Sequence, residues 1–313
     1  MKKFLFKVGI LFFITGTIML GSNFLYENIR YRAHSVYSEE KFSYVPYNIQ
    51  ISNFGSSHGV YGIDYTDYTN RYTAFNFALT SQTLSYDYLI LQQYEDHLSE
   101  NGIMLILISN FSFGADEESQ PDFESKNERY YSFLLPDYIK QFDLKQYVKL
   151  NYFHLFFTKP SEIIGNIKKG SKKGKDTYQL GGSDFNYQED ADAAYKRHIH
   201  VDGDDNIIIN PKEINALYAM IEICKKHNIR PILITTPYRS EYNDKFSDKF
   251  YKQFHDIVNE VCKNTGAEYY DYSHDIRFIQ SNEYERNADH LTPAGAIVFT
   301  DILINEVIKQ NNR

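Results

Sequence analysis

Directly after the apolar run Ile49–Phe54 the chain reads Gly55-Ser56-Ser57-His58. A serine hydroxyl is a weak nucleophile until a base takes its proton, and that base needs an acceptor to fix its ring. A base is on offer near the far end of the chain, in RNADHLTPAGA at 286–296, where His290 stands in a loop just ahead of the last helix. Ser57 and His290 can meet if both lie past the carboxyl ends of strands in one open parallel sheet, where such sheets bind their ligands. His58 either opens the turn after Ser57 or faces the substrate.

The elements that would position these groups alternate along the chain. Apolar runs at 49–54, 72–79, 103–109, 231–235 and 267–272 predict strands. Helical spacing predicts helices over 85–101, ending at Gly102, and over 215–227 and 250–264. Thr292-Pro293 supplies a capping hydroxyl and a first-turn proline for a last helix, with Ile297, Val298, Phe299, Ile302, Leu303 and Val307 on its apolar face. The segment 103–109 is apolar on both faces, as a central parallel strand must be. Strands alternating with helices predict an α/β fold, a flavodoxin-like three-layer α/β/α sandwich around a mainly parallel sheet. Between about 115 and 201 the alternation fails, and this stretch reads as an insertion over the strand ends within a domain spanning 47–313.

Three lysines precede an uncharged stretch running from Val8 to Phe24. That is close to the ~20 apolar residues a helix needs to cross a bilayer, with Lys7 snorkelling to the interface. The expected organisation is an anchor or signal segment at 1–24, a polar stalk at 25–46, and then the α/β domain. A positive flank stays in the cytoplasm, which puts the rest of the chain outside as a single-pass membrane protein. A cleavable signal peptide is the rival reading, because small residues follow Leu20. The net charge of −8 argues against nucleic acid as a partner. The two cysteines, Cys224 and Cys262, fall within helical patterns and do not make a disulfide framework.

GSSH at 55–58 and DHLTPAGA at 289–296 resemble the first and last blocks of the SGNH (GDSL-type) hydrolase superfamily. The closer likeness is to its membrane-anchored branch, which includes the D-alanyl-lipoteichoic acid transfer protein and the alginate O-acetyltransferases. The resemblance implies Ser57 as nucleophile and His290 as base. It places the family's aspartate at a position occupied here by Asn287, so either Asp289, the nearest carboxylate, or Asn287 would orient His290. It also implies an oxyanion hole from the Ser57 N–H and the third-block Asn110, with Ser81 or Asn76 standing in for the missing second-block glycine. The implied activity is that of an extracytoplasmic serine esterase or O-acyltransferase working through an acyl-serine, with no metal or organic cofactor. The implied partners are a cell-envelope glycan or teichoic acid and a membrane-bound acyltransferase. Asn287 favours an alternative, an inactive domain of this type that binds glycan or assists such an acyltransferase.

Other motifs read more simply. Gly182-Ser183-Asp184 lacks a preceding strand and reads as a loop. The acidic run 202–206 resembles a calcium loop, but Ile207 stands where that loop needs glycine, so a hairpin turn is expected. His198 and His200 fall two apart on one strand face without a third ligand. The lysine-rich run 168–175 reads as a solvated loop, or as a contact for anionic lipid or polymer if it lies outside a membrane.

Overall fold

The computed structural model describes residues 1–33, 38–114, 116–170 and 185–308. Its strands are β1 (Ile49–Phe54), β2 (Ala74–Asn76), β3 (Leu98–Leu107), β4 (Arg230–Thr235) and β5 (Glu268–Asp271). The helices run in chain order α1 (Lys2–Ala33), α2 (Ser57–Gly62), α3 (Leu84–Tyr94), α4 (Phe123–Asn127), α5 (Leu144–Tyr152) and α6 (His154–Phe157). They continue as α7 (Pro160–Gly170), α8 (Tyr187–His198), α9 (Pro211–Lys226), α10 (Ser240–Asn243), α11 (Asp248–Thr265) and α12 (Pro293–Ile302). The chain divides into two compact units, one of Met1–Tyr44 with Pro121–Tyr178 and the other of Val45–Gln120 with Gln179–Arg313.

In the second unit all five strands are parallel, in the order β2-β1-β3-β4-β5. The strand order reverses between β1 and β3, and a flavodoxin-like sheet binds ligands at such a switch point. The sheet is covered on both faces. Alternate residues Ile51, Leu105, Leu107, Ile232 and Ile234 pack with Phe299, Leu303 and Val307 of the C-terminal helix. On the other face α3 packs against α9, and the Cys224 thiol on α9 meets the Met104 sulfur of β3 at 3.4 Å. Both cysteines are free thiols.

Two sequence expectations need correction. The helix predicted over 85–101 ends at Tyr94, and Leu98–Leu107 form one long strand that includes Gly102. Gly102 is therefore not a helix cap: a Cβ there would lie 2.8 Å from the Ser99 carbonyl and 3.3 Å from those of Ile49 and Gln50, so the glycine lets β1 approach. His198 closes α8 instead of sharing a strand face with His200, because Tyr187, Ala191 and Ala194 bury the inner stripe of a helix. The acidic run does form a turn, closed by the antiparallel bridge Val201–Ile207, with Asp202 Oδ1 accepting from the Asp204 and Asn206 N–H groups. The motif at 182–184 and most of the lysine-rich run lie outside the described residues.

In the first unit, α1 carries an apolar stretch long enough to cross a membrane. It packs against α5, α6 and α7.

Candidate active site

Gly55 turns the chain out of β1 with φ +135°, a region open to glycine, and a Cβ there would sit 2.8 Å from the Leu107 Cβ of β3. Its N–H donates to the buried Asp87 carboxylate at 2.9 Å, which ties the turn to α3. Ser56 caps α2, its hydroxyl accepting from the His58 N–H and its carbonyl from the Gly59 and Val60 N–H groups. The Ser57 N–H, at the first helical position, has no partner among the described residues. Asn76 braces the same turn: its amide donates to the Gly59 and Ile63 carbonyls at 2.9 and 3.3 Å. Both of its donors are thereby committed to structure.

The loop before α12 arrives from the other side. Its base is closed by a bridge between Glu285 and Leu291, and the Thr292 hydroxyl accepts from the Gly295 N–H at 3.0 Å. Gly295 has to be glycine, since a Cβ there would come within 2.3 Å of the Tyr284 carbonyl oxygen. Asp190 on α8 accepts from the Ala288 N–H at 2.9 Å, and the Arg239 N–H donates to the Ala288 carbonyl at 3.1 Å. The loop is thus held on two sides at the residue before Asp289.

The structure brings Ser57 and His290 together: His290 Nε2 lies 2.8 Å from Ser57 Oγ. Nδ1 of the same ring is hydrogen-bonded to Asn287 Oδ1 at 3.1 Å and lies 2.9 Å from Asp289 Oδ1. Asn287 Oδ1 also accepts from the His290 N–H at 2.8 Å, so it serves the loop backbone as well as the ring. Asp289 is buried, and its second oxygen lies 3.4 Å from His58 Nε2. Ser57 and His290 remain partly exposed and open to a ligand.

His58 has turned away from the position of a substrate contact. It is buried, with Nδ1 2.6 Å from the Ser109 hydroxyl and 3.2 Å from the Tyr238 hydroxyl. Burial lowers its pKa, against the pull of Asp289, so the ring is neutral near pH 7. The ionised Asp289 carboxylate can only accept, which puts the ring proton of neutral His58 on Nε2 and leaves Nδ1 to accept from the hydroxyls. Burial alone would raise the Asp289 pKa, but the His290 charge and the two imidazole hydrogen bonds outweigh it and hold the carboxyl well below its usual range. One ionised carboxylate therefore stands between two imidazoles, only one of which reaches Ser57.

Asn110 is buried just past β3, beside Tyr251, and Ser81 sits exposed in a turn at φ 56°. Neither hydrogen-bonds to Ser57 or His290. Several neighbours escaped the sequence reading. Tyr61 meets the His290 ring edge-on at 5.3 Å and carries the Arg286 guanidinium over its own ring at 5.0 Å. Phe111 touches both His58 and His198, and burial pushes the His198 pKa down to about 4. Ser109 alone carried a signal, since it closes the apolar run 103–109 just past β3, at the rim where ligand groups collect. His58, Asp289 and His290 also offer three ligand atoms within 4.8 Å of one another, a spacing compatible with a metal ion.

A hydroxyl, an imidazole and a buried carboxylate in line can move a proton from Oγ to Nε2 as Oγ attacks an electrophilic carbonyl. Residues 169–278 match the family model of the DltD protein. This is the membrane-anchored branch that the two end blocks resemble. The DltD match covers about a third of the chain, from before α8 through β4, α11 and β5, and includes neither Ser57 nor His290. No curated protein matches the chain. Among solved structures, one provisionally described as a platelet activating factor from Streptococcus pneumonia is 12% identical, covers 95% of this chain and 98% of its own, and has a TM-score of 0.41. One provisionally described as an acylhydrolase from Bacteroides fragilis is 13% identical, with 88% and 95% covered and a TM-score of 0.40. At those scores neither likeness bears on function.

Proposed function

We propose that this chain is a membrane-anchored serine acyl-transfer enzyme of SGNH type, acting on acyl esters of a cell-envelope polymer of the teichoic-acid or polysaccharide class. The observation that carries this reading is the 2.8 Å contact between His290 Nε2 and Ser57 Oγ, with Nδ1 of the same ring held by Asn287 and Asp289. His290 takes the Ser57 proton while Oγ bonds to the acyl carbon. The proton then passes from Nε2 to the departing alkoxide, leaving acyl-Ser57 and a free hydroxyl. In the second half, water or a sugar or polyol hydroxyl gives its proton to His290 and attacks the ester, and that proton passes from Nε2 to the departing Oγ, which restores Ser57 and a neutral His290. Charge on the carbonyl oxygen falls to the Ser57 N–H, with Asn110 and Ser81 as further candidate donors.

The polymer class rests on the DltD match, and the chain's own residues support only the acyl chemistry. The same match supports a partner in the membrane, such as an acyltransferase that delivers the acyl group. The anchor α1 would place the site outside the cytoplasm by its positive flank.

The test is labelling of the full chain with a fluorophosphonate, beside turnover of p-nitrophenyl acetate. Labelling that Ser57→Ala abolishes and His290→Ala slows at least about a hundredfold supports the reading. Failure of the folded wild-type chain to label would instead leave a glycan-binding or docking domain. Dialysis against EDTA is expected to change neither assay. A loss that zinc restores would move the chemistry to a metal ion held by His58, Asp289 and His290.

A further inference from the structure

The first unit carries an apolar surface that the acyl-transfer reading does not use. On α5, Leu144, Val148 and Tyr152 recur every four residues and are all exposed. Phe156 and Phe157 of α6 and Ile164 and Ile167 of α7 are exposed as well, Phe157 by 63%. Seven exposed large apolar side chains on three successive short helices are more than scattered surface residues, and they need an occupant.

The way these helices attach to α1 says which. With Lys7 snorkelling to the interface, the membrane-crossing stretch of α1 runs from Phe4 to Ser22, about 28 Å at 1.5 Å per residue, close to the thickness of a bilayer's hydrocarbon core. At its end Asn23 is buried and holds both sides of the α5–α6 junction. Its amide donates to the Asn151 carbonyl at 3.2 Å, and its carbonyl accepts from the Leu155 N–H at 2.9 Å. One turn further, the Tyr26 hydroxyl accepts from Asn166 of α7 at 3.1 Å, and Glu27 pairs with His154 at 2.8 Å. All of these contacts fall where the apolar stretch gives way to polar residues.

The geometry points to α5, α6 and α7 lying in the membrane interface around the emerging end of α1, with their exposed apolar stripe sunk into the boundary between headgroups and acyl chains. Charge agrees with this placement. From 142 to 170 the chain carries Lys145, Lys149, Lys159, Lys168 and Lys169 against Asp143 and Glu162, a basic stretch in an acidic protein. Basic amphipathic helices bind anionic lipid surfaces through both terms together, apolar burial and lysine contact with headgroups. The consequence is a unit that is monotopic as well as anchored, which fixes the orientation of the helix bundle relative to the membrane plane.

The chain contains no tryptophan, so a single introduced one reports alone. Phe157→Trp, Ile164→Trp and, as reference, Phe13→Trp in the middle of α1 are placed one at a time in the full chain. The positions are exposed, so none of these changes disturbs a packed core. Each variant is reconstituted in phosphatidylglycerol vesicles carrying acyl chains brominated either near the headgroup or near the bilayer centre. The shallow bromine is expected to cut the emission of the 157 and 164 variants at least about twofold and more than the deep one, with the order reversed for the reference. Emission at 157 and 164 that aqueous iodide quenches and neither bromine does would overturn the proposal. Quenching there dominated by the deep bromine would overturn it too.

Discussion

Two groups face His290 Nδ1, a carboxylate oxygen of Asp289 at 2.9 Å and an amide oxygen of Asn287 at 3.1 Å, and replacing each in turn tells which one matters for proton transfer. Asp289→Asn keeps the shape and removes the charge. When His290 takes the Ser57 proton, a positive ring forms beside a carboxylate that is 3% exposed, so solvent screens the pair little. With ring charge centred roughly 4 Å from the carboxylate and an effective dielectric of about 20, the attraction is about 4 kcal/mol. Lost from the transition state, that is about a thousandfold in rate. His58 stays on the other carboxylate oxygen in the wild type and draws some of this charge, so a fall of about 10²- to 10³-fold is expected. Asn287→Ala removes from the ring only a neutral hydrogen bond, worth about 1 kcal/mol, and should cost about fivefold in rate, while the loss of its bond to the His290 N–H shows in the melt. The measurement is kcat/KM for p-nitrophenyl acetate at neutral pH, with the circular dichroism melt as a check on folding. If Asp289→Asn stays within about threefold of wild type, or Asn287→Ala proves the more damaging, the carboxylate does not stabilise the charged ring and the reasoning fails.

Further outcomes follow from the same geometry. His58→Phe leaves the Ser109 and Tyr238 hydroxyls without their acceptor and Asp289 without its second imidazole; it should lower kcat/KM about tenfold and the stability by about 1–3 kcal/mol, and an unchanged kcat/KM would remove His58 from the machinery. Glu285 is fully buried, neither of its oxygens has a partner among the described residues, and burial raises its pKa well above the usual value. The folded state then holds that proton more tightly than the unfolded one, so stability present below the unfolded pKa is lost as pH rises through the folded pKa. Glu285→Gln should therefore raise the Tm at pH 8 and lose this advantage towards pH 4, as thermal melts across that range would show. Gly55→Ala forces a Cβ into Leu107 at a positive φ and should destabilise by about 2–4 kcal/mol in urea titrations, with fluorophosphonate labelling slowed in the fraction that folds.

Much of the architecture was legible because it depends on local pattern. An apolar-rich run marked β1, the continuous run PILIT marked β4 and a tyrosine-rich stretch marked β5, and Thr292-Pro293 marked the start of α12 through a cap that the Thr292 hydroxyl forms. The 85–101 stretch was misread because Gly102 has two physical uses, freedom at positive φ and absence of a Cβ. Only the neighbouring strand decides between them. His198 was misplaced for a related reason, since the helix before it is polar outside and shows its buried stripe only when packed.

The chain by itself determined that a serine would end the first strand, that a histidine would precede the last helix, and that the amino-terminal stretch could cross a membrane, since each follows from residue types within a few positions. It left open whether Asp289 or Asn287 would reach His290, because adjacent side chains diverge or converge according to how the loop is held. Tertiary structure brings both to His290 Nδ1, with Asp190 and Arg239 gripping Ala288 from distant parts of the chain. The role of His58 was likewise beyond local reading. Its partners Ser109, Tyr238 and Asp289 lie 51, 180 and 231 positions away, and only the closing of the sheet edge brings them to one imidazole.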